Sequence, residues 1–155
     1  MIKLRTLALL LVAAHWAVAI THLFLAAKVL AAPDDHVSSL ALVLITLGHI
    51  VVSLALWKLS GPLAGLTSLI FFLSALGADL YEHFLHASGN NVFMVASGHW
   101  STSFAVSVLV LLALEMMGCS IGAWLLGSTN RKKTPACGPG AAPRERGLRL
   151  SARLT

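Results

Sequence analysis

An all-α membrane fold, an up-and-down bundle of four transmembrane helices followed by a disordered basic tail, is what this sequence predicts, and three observations predict it. Of its 155 residues, 57% are hydrophobic and only 11% are charged, with a mean hydropathy of +0.85. Apolar runs of roughly 20 residues, the length that matches the hydrocarbon of a bilayer, recur along most of the chain. The breaks between these runs are short and carry turn residues, which makes sequential helices antiparallel neighbours.

The elements follow in order. A first span at about 4–31 is preceded by Lys3 and Arg5, and the APDDH break that ends it offers Pro33 with the helix caps Asp34 and Asp35. A second span at 37–57 ends at Lys58, and the SGP turn places Pro62 at the start of the third, at 63–84. The SGNN loop then leads to a fourth span at 101–126, or from nearer Val92 if the residues between are helical. Residues 1–127 form the transmembrane domain. The opening MIKLR, the apolar run behind it and Ala17-Val18-Ala19 also have the pattern of a cleavable signal peptide. Apolarity that continues to Ala32 favours a retained span.

Residues 128–155 are a different material, with three prolines and seven of the chain's eleven Lys and Arg, and they predict a disordered cytoplasmic tail. Lys3, Arg5, Lys58 and the Arg131-Lys132-Lys133 run all fall on one side of the predicted topology, while Lys28 is the exception. The positive-inside rule then puts both termini in the cytoplasm, as expected of a bacterial inner-membrane protein. The net charge of +5 resides mostly in the tail, so the partner it implies is the lipid bilayer and not nucleic acid. Cys119 and Cys137 make no CxxC, and no dinucleotide, Walker or GxSxG motif is present.

Ionisable groups inside the spans carry the functional information, because each costs roughly 2.5–3.5 kcal/mol on insertion scales if charged at bilayer depth. They are His15 and His22 in the first span, His49 in the second, Asp79, Glu82 and His83 in the third, and Glu115 in the fourth, with His86 and His99 near the outer boundary. At helical spacing Asp79, Glu82, His83 and His86 form one stripe, His15 and His22 share a face, and Thr46, His49 and Ser53 form another. His99 and Ser103 begin a fourth seam. Counted at 1.5 Å per residue, His22, Asp79 and His83 overlap in the outer half, joined by His99 if the fourth span starts near Val92 and not if it starts at Ser101, with His49, His15 and Glu115 deeper.

Mixed imidazole and carboxylate donors suit a transition metal, Cu, Fe, Zn or Mn, held by Asp79 and His83 with His22, His49 or His99. Glu82 or His86 would orient a ligand from behind. The order Asp79, His83, His99 is similar in outline to the copper-binding stretch in the membrane subunit of particulate methane monooxygenases, a resemblance that adds only copper as a candidate. The rival cofactor is a single haem b between His22 and His99, or between His15 and His49. If the chain is an enzyme, redox chemistry at such a centre is the class, with no catalytic residue or substrate identified. A third reading is an accessory subunit whose polar groups pack or relay protons, Glu115 being the relay carboxylate. Gly118 and Gly122, spaced as GxxxG, would allow a homodimer or docking in a larger membrane complex.

Overall fold

The computed structural model describes residues 2–30 and 35–128. The predicted turn around Pro33 and the tail from 129 onward lie outside them. Four α-helices make up the described chain: α1 (Ile2–Leu30), α2 (Asp35–Lys58), α3 (Gly61–Leu80) and α4 (Ser101–Gly127). Three stretches, Lys3–Val29, Gly61–Leu85 and Ser101–Gly127, are long and apolar enough to cross a membrane, and α2 adds a shorter apolar stretch, Leu42–Lys58.

The helix ends are set by local chemistry. Ser60, extended at φ −61° and ψ 157°, precedes α3, and Pro62 in its first turn loses nothing by lacking an N–H. At the end of α2, whose last carbonyls have no partner in their own helix, Arg5 of α1 donates to the Leu59 carbonyl at 3.0 Å. The start of α1 and the end of α2 therefore lie side by side with Lys3, Arg5 and Lys58, at what we term the basic end. The opposite end, beyond α3, is the loop end.

Each helix packs on its neighbours in sequence and α4 returns to α1, with the α3–α4 contact the most extensive. Small residues make that contact close. A Cβ on Gly65 would come within 2.6 Å of the Leu126 nitrogen, and one on Gly122 within 2.9 Å of the Leu69 nitrogen. A Cβ on Gly118 would overlap the Phe72 ring. The GxxxG pair thus faces α3 of its own chain, where close backbone approach gains van der Waals contact that lipid cannot replace.

Two apolar clusters hold the bundle. At the basic end Ala8, Leu11, Val12, Val52, Leu56, Ala64, Phe72 and Leu125 join all four helices. At the loop end Leu25, Ala26, Phe104 and Val108 join only α1 and α4, with Phe84, Val92 and Val95 folded over them. Large apolar side chains such as Leu10, Phe24, Trp57, Ile70, Leu73, Leu109 and Trp124 are exposed all round the outside. A surface of that kind belongs in hydrocarbon, and the chain is a helical membrane protein.

The third helix does not end as an ideal α-helix. Its last turn, Tyr81–Leu85, is π-helical, with the His86 N–H donating to the Tyr81 carbonyl at 2.7 Å. The wider turn breaks the expected stripe: His83 faces inward while His86 faces out, stacked on Tyr81 with ring centroids 5.5 Å apart. Residues 87–100 then fold back over this turn, Val92 N–H donating to the His83 carbonyl at 2.9 Å and the Asn91 amide to the His86 carbonyl at 3.0 Å.

Replacing Gly118 or Gly65 by Leu is expected to cost about 1–3 kcal/mol of stability through overpacking, read as a lowered unfolding midpoint in detergent. Gly77, where an added carbon meets nothing within 4 Å, should instead accept Ala with a gain of up to about 1 kcal/mol. Equal losses at the two kinds of site would contradict the close-packing account.

Candidate functional site

Between the four helices lies a cavity of about 660 Å³, lined by His15, His22, His49, Asp79, Glu82, His83 and Glu115 among apolar side chains. Five of these seven ionisable residues come from the four α-helices and two, Glu82 and His83, from the π-helical turn, so the fold gathers into one space groups that sequence distance separates by up to 100 positions.

The deep part of the cavity is a hydrogen-bonded chain that crosses the bundle. His49 Nδ1 lies 2.6 Å from the Ile45 carbonyl one turn back. A carbonyl only accepts, so Nδ1 carries the proton and, in the neutral ring, Nε2 keeps its lone pair. His15 Nδ1 donates to that lone pair at 2.8 Å, the two rings being stacked at 5.0 Å. His15 Nε2 then meets Glu115 Oε1 at 3.2 Å. One proton bridges this step, either as carboxyl O–H to imidazole or as imidazolium to carboxylate.

Glu115 is only 1% exposed, and its other oxygen, Oε2, is buried without a donor of its own. The carboxyl of Asp79 lies within hydrogen-bonding reach of the Glu115 side chain. Two carboxylates are both acceptors, so this contact closes only around a proton carried by one of them. Helix geometry explains why they meet: every Cβ leans toward the N-terminus of its own helix, and α3 and α4 are antiparallel, so the two side chains lean toward each other. Asp79 is also in electrostatic range of His83 and His15.

One level closer to the loop end, His22 and His83 meet edge to face with centroids 4.8 Å apart, both against Phe104. Their Nδ1 atoms are committed. Ser107 gives its hydroxyl proton to the Phe104 carbonyl at 2.7 Å, so at 2.9 Å it accepts from His22 Nδ1. His83 Nδ1 donates to the Asn90 carbonyl at 2.9 Å. Each ring is therefore left with an Nε2 lone pair, and among the described residues no protein donor is bonded to either.

The remaining candidates sit elsewhere. His99 precedes α4, is exposed, and packs edge to face on Trp100 at 5.0 Å, apart from the residues that line the cavity. Ser103, its expected companion, is exposed as well. Glu82 is at the cavity mouth with His86 3.2 Å from its carboxylate, both close to half exposed. What α4 contributes is Glu115 together with Ser107, a residue that helical spacing does not mark; both lie on the buried face with Phe104, Leu111, Gly118 and Gly122. Asn90 carries no sequence signal either, because it acts through its backbone carbonyl.

These positions bear on what the site could hold. A haem between His15 and His49 would need the width of a macrocycle where the two rings are in direct contact, and His99 is too exposed to face His22 across one. The residues as arranged do not fit haem. Among the described residues no three His, Cys, Asp or Glu side chains converge as a group able to hold a metal ion. No protein-family model matches the chain, and no curated protein or solved structure matches it.

Coupling across the deep chain is measurable. A double-mutant cycle on His15→Phe and Glu115→Leu is expected to give an interaction on the order of 1 kcal/mol, the scale of a hydrogen bond between helices in a membrane. The same cycle on His15 and His99 should give a value near zero, and equal couplings would show that the contact carries no specific energy.

Proposed function

We propose that the protein is a four-span membrane subunit that relays protons from its loop end to the centre of the bilayer. The single observation that carries this reading is the chain Ile45 carbonyl, His49, His15, Glu115 and Asp79, to which every helix contributes one titratable side chain. Such a chain exchanges protons by short hops between fixed donors and acceptors, and His15 and Glu115 stand near the middles of their helices. Glu82 and Asn90 at the mouth connect it outward, and the cavity of about 660 Å³ has room for waters bonded to its polar groups that complete the path. Lys3, Arg5 and Lys58 gather at the basic end, which we place in the cytoplasm on the positive-inside rule.

A transition metal held by Asp79, His83 and His22 is the second reading, and one observation favours it. Both imidazoles have Nδ1–H anchored by an oxygen, the arrangement that commonly sets Nε2 toward a metal. Elemental analysis of protein purified without chelator would support this reading if it found near-stoichiometric metal that disappears in both His83→Ala and Asp79→Ala. Metal retained by those variants would remove it.

For the relay, infrared difference spectra of the protein in lipid nanodiscs between acid and alkaline buffer are expected to contain a protonated-carboxyl band. It should shift in D₂O on mixing and vanish in Glu115→Gln combined with Asp79→Asn. A spectrum with no such band, or a band blind to D₂O, rejects a proton path from the loop end.

A further inference from the structure

A relay that ends in mid-bilayer has to meet a reaction partner there, and the side of the cavity shows how one could arrive. No described side chain of α2 before His49 is buried, whereas α1, the end of α3 and α4 bury His22, Leu25, His83, Phe104 and Val108 at the same level. The outer half of α2 therefore stands off from the other three helices. It returns to α3 at Gly48, where a Cβ would come within 3.0 Å of the Phe71 ring. Above that point the cavity is bordered by Leu44 of α2 and by Ser74 and Ala78 of α3, all three exposed on the lipid-facing surface. Small side chains thus leave an opening toward the acyl chains, one turn further into the bundle than Glu82.

Two further features describe the occupant. The His22 and His83 rings are 7% and 5% exposed, line the cavity, and present lone pairs that lack a protein donor. Acceptors that face a cavity at this depth suit a ligand that brings its own O–H or N–H and displaces water from them. About 6 Å further in along α3, one helical turn, the carboxyls of Asp79 and Glu115 form a second polar pole, with Phe71 and Leu111 among the apolar walls. A flat ring with hydroxyl groups at opposite ends matches two poles so spaced, and an apolar substituent on it would leave between α2 and α3.

We infer that this cavity binds a lipid-soluble quinol, its hydroxyls between the His22–His83 pair and the Asp79–Glu115 pair and its tail in the bilayer past Ser74 and Ala78. The inference rests on the relay reading for its biological sense, and on the portal and the two lone pairs for its chemistry. A metal ion could take the same lone pairs, yet it would lack a third converging ligand among the described residues and would need neither this volume nor a lateral opening.

The test is equilibrium binding of decylubiquinol, kept reduced under anaerobic conditions, to the full chain in lipid nanodiscs against empty nanodiscs. Saturable one-to-one binding is expected, weakened about tenfold in His22→Phe and in His83→Phe, the loss that goes with one buried hydrogen bond. It should be abolished by Ala78→Trp, which fills the portal, and unchanged in His99→Ala. Ser74→Phe replaces Ala78→Trp if that variant does not fold. Uptake no greater than into empty nanodiscs, or indifference to both portal variants, overturns the inference. The carboxyl infrared band is read without quinol, so its presence beside failed binding rejects the quinol site alone, and its absence beside successful binding rejects the relay alone.

Discussion

Hydrocarbon gives a polar side chain nothing to bond to, so every imidazole and carboxyl carried into the bundle must find its partner inside the protein. The rest of the interior depends on that constraint. His15, His49, Asp79 and Glu115 come from four different helices, and their mutual contacts fix how each helix is rotated about its own axis. Apolar packing alone would specify these rotations weakly, because the helices are hydrophobic on nearly every side and lipid solvates leucine as well as protein does. The polar chain supplies the directional information that the greasy surface lacks.

Against this polar frame the bundle divides into a close-packed side and an open one. On the close-packed side α3 and α4 meet through Gly65, Gly118 and Gly122, where no larger side chain has room, and the backbones are in direct contact. On the open side α2 is joined to the others mainly below His49, through Val52 and Leu56 in the basic-end cluster. The π-helical turn adds to the asymmetry, since it carries His83 inward and directs His86 to the surface within three residues. A rigid pair of helices thus holds the acids while a more loosely attached one covers them.

Much of this was legible in the sequence, and the failures have physical reasons. Helix extents followed from apolar length and from Pro62, and the seven-residue spacing of His15 and His22 was enough to put both on one face. The stripe through Asp79, Glu82, His83 and His86 assumed a constant twist, which a single π-helical turn removes without a local signature. The expected fourth seam begins at His99 and Ser103, but His99 precedes the helix, and the true seam runs through Ser107 and Glu115. A lone serine in an apolar helix is too common to attract notice, and Asn90 acts through a carbonyl that any residue would supply. The GxxxG pair looks the same whether its partner is another chain or, as here, α3.

The basic-end cluster sets an electrical boundary. Below His15 and His49 the interior is filled by Leu11, Val12, Val52, Leu56, Phe72 and Leu125, with no titratable side chain among them. Any charge entering from the loop end would stop there, because a slab of hydrocarbon side chains several ångströms thick offers ions neither hydration nor counter-charge. A membrane crowded with this protein would still insulate, holding its voltage as though the bundles were so much additional lipid.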